Sequence, residues 1–255
     1  LFYALLGGLT INLLWAPCLA LLFTTLIPLD ETLRIGVLTI ACVPPTMASG
    51  IISTSMAKGN MTWAIIFTIV INTIGVFIIP FTFSQCLHVK ATHSMDSLLI
   101  FKTLFLLVLL PAIIGHRIKL IYGLSKHYLI NYFQPSAILF IAFCTVAAGK
   151  ENILKLNIWT LLLLLTTVLL LHISLLASCL LFSKIRKLQK EETIAMTFVC
   201  SQKTLPLALS LLVIFPTEIA SLAAIACLLY HLGQVFIDSL IAFYWQKSFP
   251  KLISK

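Results

Sequence analysis

Cys42-Val-Pro-Pro-Thr-Met-Ala-Ser-Gly50 interrupts a hydrophobic segment at its middle. Residues 33–41 before it are nearly all apolar, and residues 51–57 after it are apolar with interspersed hydroxyls. Arg34 and Lys58 bracket the segment, and residue 46 is their midpoint. Pro44 and Pro45 remove two backbone donors and clash with the preceding turn, so no helix runs through unbroken. In hydrocarbon, freed backbone groups are tolerated only where protein covers them or a cavity meets them. A broken helix at bilayer depth, with Thr46, Ser49 and Gly50 beside the break, points to the binding site of a transporter.

The rest of the chain supplies the bilayer. Of 255 residues, 60% are hydrophobic and only 10% are charged, with mean hydropathy +1.10. A soluble domain carries about 25% charged residues, so the composition predicts an integral membrane protein. Membrane-spanning strands would alternate in dyads; these apolar runs are continuous, which predicts an all-α fold. At roughly 20 residues per span, there is room for about eight helices. The net charge of +9 sits in short loops, where it reports orientation, and gives no reason to expect nucleic acid. Seven cysteines are scattered singly without CxxC or Cys/His spacing, so neither a disulfide framework nor a metal site is predicted. No cofactor is expected.

Eight apolar spans can be marked along the chain. Span A covers 1–27, interrupted at Gly7-Gly8 and Pro17; span B is the broken helix over 33–57; span C covers 61–83. A polar loop, 84–97, leads to span D at 98–115, a basic loop to span E at 135–148, and a further loop to span F at 156–183. Span G covers 193–215 and span H 218–245. The expected organisation is a three-helix unit over residues 1–83 with its break near 44–50, two helices and loops over 84–155, a second three-helix unit over 156–246 with its break near 200–206, and a basic cytoplasmic tail, 247–255. With the start of span A in the cytoplasm, the inner side holds Lys58, Arg117, Lys119, Lys126, Lys184, Arg186, Lys187, Lys190, Lys247, Lys251 and Lys255. The outer side holds only Arg34, Lys90, Lys102, Lys150 and Lys155. That asymmetry is a positive-inside signal.

Span G repeats the anomaly of span B. Phe198-Val-Cys-Ser-Gln-Lys-Thr-Leu-Pro206 gathers Ser201, Gln202, Lys203 and Thr204 before a proline, and residue 203 is the midpoint between Lys190 and Pro216. A lysine at the bilayer centre costs roughly 2.5–3.5 kcal/mol on insertion scales and marks a functional site by default; the plainer reading is a tether between two helices. Spans B and G are each second in a group of three, and the loop charges give the two groups opposite orientations. That is the pattern of an inverted-repeat carrier with two discontinuous, crossing helices. Sequence identity between the two units is negligible.

Other polar residues within spans have both a site reading and a packing reading. Asn12, five residues before Pro17, either reaches the site or makes one interhelical hydrogen bond. Thr68 and Asn72 lie four apart, hence on one helix face, and either pack or meet the solute. Tyr230, His231, Gln234 and Asp238 form a polar face on span H, an interior seam with a proton-relay role open to it. His172 reads as a satisfied interhelical histidine. No nucleophile–base constellation is present and Asp238 is the one aspartate inside a span, so enzyme activity is not expected.

At this point the motifs resemble a known family. The run from Cys42 through Ala57-Lys-Gly-Asn60 resembles the crossover segment of the bile acid:sodium symporter family (solute carrier family 10). Asn72-Thr-Ile-Gly-Val-Phe-Ile-Ile-Pro80, Cys200-Ser-Gln-Lys-Thr-Leu205 and Tyr230-His-Leu-Gly-Gln234 are similar to its SBF-like branch, typified by member 7. The resemblance covers nearly the whole chain in order. It implies ten helices, with a core of two inverted three-helix units and a separate panel domain. Spans A–C and F–H correspond to that core and spans D–E to half of the panel, which would leave two helices to precede residue 1.

Carried over by position, the resemblance places the family's sodium-binding Ser-Asn pair at Ser49-Gly50 and its next-helix Ser and Thr at Ala64 and Thr68. Its Glu falls on Phe198 and its two Gln on Gln202 and Asn12. Three ligands are thereby lost, at Gly50, Ala64 and Phe198, and among them is the only charged one. With Lys203 next door, the expected site charge is +1, and the ammonium is expected to stand where sodium would. Gain and loss of its proton could couple transport to protons; equally, its charge could attract an anionic solute toward the half-helix N-termini. The expected function is secondary active transport of a small anionic organic solute by alternating access, without sodium at the family's usual positions. A second reading, implied by this branch, is a non-transporting membrane regulator of calcium homeostasis.

Overall fold

The computed structural model describes residues 2–90, 150–154 and 156–248, with single positions scattered between 98 and 147. Spans D and E and the tail beyond Ser248 lie outside the described residues. Within them the fold is helical. Helix α1, Phe2–Leu26, is followed by two half-helices, α2 (Glu31–Cys42) and α3 (Ser49–Met56), then by α4 (Met61–Lys90). After a short α5 (Lys150–Leu154) come α6 (Ile158–Ile185), a second pair of half-helices, α7 (Lys190–Ser201) and α8 (Leu205–Leu212), and finally α9 (Thr217–Ser248). Five stretches among the described residues are long and apolar enough to cross a membrane: α1, α4, α6, α7–α8 taken together and α9. The α2–α3 pair, 12 and eight residues, forms a further interrupted passage. The chain is therefore an integral, multi-pass membrane protein.

Local signals set the element ends. Asn157, expected inside span F, instead caps α6, its side chain accepting from Trp159 N at 3.2 Å. Gln189 and Glu192 form a reciprocal capping box at the start of α7, which satisfies two otherwise orphaned donors. Lys58 adopts φ 59° in the turn after α3, and Asn60 both caps α4 through Trp63 N and donates its backbone N–H to Glu191 O at 2.9 Å. That last bond ties the first group of three to the second.

Several boundaries differ from the sequence reading. Helix α4 runs to Lys90, so the first half of the expected polar loop is helical. Gly7-Gly8 does not break α1; the two glycines make room for Phe182 and Cys200 from neighbouring helices. The chain also passes Pro17 without stopping, because a π-helical turn, Ile11–Trp15, precedes it and Pro17 falls in the first turn of the segment Ala16–Leu26, where its missing N–H is least costly. The breaks themselves are tighter than expected: residues 43–48 in the first, with Ser49 and Gly50 already in α3, and 202–204 in the second, with Pro206 in the first turn of α8.

Packing puts the breaks at the centre. In the most apolar stretch of the α7–α8 passage 83% of residues are buried, against 39–50% for the four unbroken spans. Helix α2 lies along α9, while α7 is surrounded by α3, α4 and α6.

Candidate functional site: the crossing of two helix breaks

Breaking a helix frees backbone carbonyls, and those freed here must find partners because no bilayer lipid can supply one. At the first break three successive carbonyls are covered by three different groups. Val43 O accepts from Lys203 Nζ at 3.0 Å, Pro44 O from the backbone N–H of Thr204 at 3.0 Å, and Pro45 O from Asn72 Nδ2 at 3.2 Å. The second break is closed in the same way. Asn12 Nδ2 donates to Cys200 O and Gln202 O at 2.9 and 3.1 Å, the Tyr230 hydroxyl donates to Ser201 O at 3.1 Å, and Gln234 pairs with both backbone groups of Lys203. Each break thus supplies part of the covering of the other.

Lys203 is fully buried. Its Nζ donates to Val43 O, to Asn12 O at 2.5 Å and to Asn12 Oδ1 at 3.3 Å. An ammonium has three protons to give, and three oxygens take them. It also stands at the C-terminal end of α2, where a helix favours positive charge. The half-helices α3 and α8 present the opposite ends, their N-termini, at the crossing.

Gln202, also fully buried, is a hub. Its Oε1 lies 2.6 Å from Thr46 Oγ1 and 2.7 Å from Ser49 Oγ, both hydroxyls donating, while its Nε2 donates to Asp238 Oδ2 at 2.5 Å. At Gly50 the start of α3 packs closely on α7 and Gln202: a Cβ there would stand 3.2 Å from Val199 Cα and 3.3 Å from Gln202 Oε1.

All fourteen residues singled out in the sequence fall in or beside the crossing, with unequal parts. Asn12, Pro44, Pro45, Thr46, Ser49, Asn72, Gln202, Lys203 and Gln234 bond across it. Thr204 does so through its backbone, Ser201 through its carbonyl, and Gly50 by leaving space. Thr68 does not reach across; its hydroxyl donates to Ala64 O in its own helix, and only its carbonyl takes part, accepting from Asn72. His231 is at the margin, half-buried, with Nδ1 2.9 Å from Gln234 Nε2.

The expected site charge needs correction. Replacement of the family's Glu by Phe198 does not strip the crossing of carboxylate, because α9 delivers Asp238 to Gln202. Asp238 is in turn paired with His172 Nε2 of α6 at 2.9 Å, and both are fully buried. The sequence did contain a signal for this pair: an acid and an imidazole in two apolar spans are each costly unless they meet a partner. Lys203 and Asp238 therefore flank Gln202 with opposite charges.

Two discontinuous helices thus meet within their membrane passages and are sealed there by buried polar side chains. Residues 3–247 match the model of the SBF-like CPA transporter family, and the chain belongs to that family. It is 26% identical over 258 residues to the probable sodium/metabolite cotransporter BASS4, chloroplastic, of Oryza sativa subsp. indica, an alignment covering 94% of this chain and 61% of the relative. To the sodium/bile acid cotransporter 7 of Xenopus tropicalis it is 24% identical, over 85% of this chain and 65% of the relative; to that of Mus musculus 26%, over 84% and 64%. The chain thus spans a little under two thirds of the length of these relatives.

Proposed function

We propose that the protein is a secondary active transporter working by alternating access, that its two broken-helix groups (residues 1–83 and 156–246) are inverted counterparts, and that residues 84–155 belong to a separate panel. The solute, a small organic anion, is taken at the open side of the crossing, where Ser49 and Thr204 are half-buried beside exposed Met47 and Ala48. The N-termini of α3 and α8 favour negative charge there.

The observation that carries the reading is the placement of Lys203 Nζ among Val43 O, Asn12 O and Asn12 Oδ1. Lys203 serves as a tethered cation: it neutralises carbonyls that an alkali ion would otherwise coordinate, and its saturated donors keep it from binding the solute directly. The names of the relatives couple their transport to sodium. In this chain a sodium ion among those same oxygens would meet a fixed positive charge a hydrogen-bond length away.

The test is uptake into proteoliposomes containing the full-length protein, screened over a panel of small organic acids with sodium or choline as the external cation. Equal uptake in both supports the reading, and strict dependence on sodium overturns it. Lys203→Ala and Gln202→Ala abolish uptake on this reading. A regulator acting through its loops would tolerate both.

A further inference from the structure

His172 and Asp238 are the one imidazole–carboxylate pair among the described residues, and the transport reading has not used them. We propose that His172, held against Asp238, is a proton-binding site, and that Tyr230 transmits its occupancy to the second helix break. The inference deepens the transport reading by naming a proton as the coupling ion; the site itself is defined by the bonds around the imidazole.

Counting protons along those bonds shows why. Asp238 Oδ2 accepts from Gln202 Nε2, and Oδ1 faces His172 Nε2 at 2.9 Å. On the other side of the ring, Nδ1 stands 3.4 Å from the Tyr230 hydroxyl, which also lies 3.1 Å from Ser201 O. Tyr230 has one proton and two neighbours. With the imidazole doubly protonated, Nε2–H donates to Asp238, Nδ1–H donates to the Tyr230 oxygen, and the Tyr230 O–H donates to Ser201 O, so every polar atom is satisfied. Remove the Nδ1 proton, and the nitrogen lone pair requires a donor. The only hydroxyl at hand is Tyr230, which must then turn away from Ser201 O.

Ser201 ends α7, and its carbonyl is one of those the second break exposes. A buried carbonyl left bare is costly, so the two protonation states favour different arrangements of the break. Only an N–H bond breaks in the step, and water is the final acceptor of the proton. Among the described residues the titratable groups near the pair are few: Cys179 from α6, Cys200 from α7, Lys203 from the second break, and Tyr230 with His231 from α9. From α3 and its approach come only Thr46 and Ser49, through Gln202. Lys203 and Asp238 cancel, so the imidazolium adds a net +1 as an anion arrives and its loss returns the crossing to neutrality.

Two measurements test this without a known solute. In ¹⁵N-histidine solid-state NMR of the full chain in lipid, with His172→Gln identifying the signal, His172 should be found as imidazolium in acid and as neutral imidazole in alkali, and Asp238→Asn should displace the change between them. In hydrogen–deuterium exchange corrected for the chemical rate, the amides at 200–205 should lose protection by at least threefold as pH rises through the transition, and Tyr230→Phe should abolish the change while keeping the titration. A His172 locked in one state throughout, or exchange that follows pH equally in Tyr230→Phe, overturns the proposal. If these results hold but no solute is carried, the transport reading fails and the proton site stands. Uptake indifferent to an imposed pH gradient, with His172 not titrating, has the opposite meaning.

Discussion

Gln234 closes around the backbone of Lys203 as a neighbouring strand would: its Oε1 accepts from Lys203 N at 2.9 Å and its Nε2 donates to Lys203 O at 2.8 Å. The side chain of Lys203 serves the first break while its backbone is held by α9. One residue thus depends on α1, the first break and α9 at once, and the second break has no freedom to rearrange unless one of them moves.

That clamp gives the first prediction. Gln234→Ala strands a buried N–H and a buried C=O, each worth about 1–3 kcal/mol. The variant should unfold at lower temperature than wild type in the same detergent, by an amount exceeding that for Ser239→Ala, an exposed site on the same helix whose hydroxyl bonds only within it. Equal melting temperatures for the two variants would show that the clamp contributes nothing.

A second prediction concerns the cation cage. Lys203→Ala leaves Val43 O, Asn12 O and Asn12 Oδ1 facing an empty volume in which an alkali ion could sit. Sodium should stabilise this variant against heat, by about 2.7 kcal/mol at a concentration 100-fold above its Kd, and should leave wild type unmoved. Lys203→Met fills the volume and should lose the response. Sodium stabilisation of wild type would show that the ammonium does not occupy the ion's place.

Much of this geometry was legible in the sequence, and the limits have physical causes. Pro44-Pro45 and Lys203 stood out because each is costly in hydrocarbon by itself, so a single residue carried the signal. The long apolar runs gave helices for the same reason. What could not be read was which group answers which. Asn12 and Cys200 are 188 residues apart, and no period along the chain encodes that meeting. The site charge was misjudged because Asp238 comes from α9, whereas the reading followed the family position at Phe198. Gly7-Gly8 was misread as a break since the sequence does not show that Phe182 needs the space. The ends of α4 and α6 shifted because polar residues continue a helix beyond the hydrocarbon as readily as they end it.

The close approach of α2 to α9 supplies a third prediction. A Cβ on Gly36 would fall on the carbonyl oxygen of Ala223, a backbone atom that cannot step aside, whereas one on Gly75 would stand 3.4 Å from Pro44 Cβ, an ordinary contact. Gly36→Ala should therefore cost more than the 1–3 kcal/mol typical of overpacking, with loss of the monodisperse peak on size exclusion. Gly75→Ala should be neutral or slightly stabilising, since alanine is the better helix former by about 1 kcal/mol. Similar behaviour of the two variants would mean that α2 and α9 are not packed this closely.

The last prediction exploits the polarity of the Gln202–Asp238 bond. Gln202 must donate to Asp238 and accept from Thr46 and Ser49, which fixes its amide orientation. Gln202→Glu alone opposes two carboxylates in a buried site, and Asp238→Asn alone places two amides face to face while weakening the partner of His172. The double variant restores the pattern in reverse. The amide of residue 238 donates to the carboxylate at 202, the hydroxyls of Thr46 and Ser49 still donate to that carboxylate, and one negative charge is kept. Each single variant should be destabilised and the double variant should recover, with a coupling energy of about 1–3 kcal/mol in a thermal or chemical unfolding cycle. Strict additivity would show that the two side chains do not share the bond, and the hub at Gln202 would then reduce to its contacts with the first break.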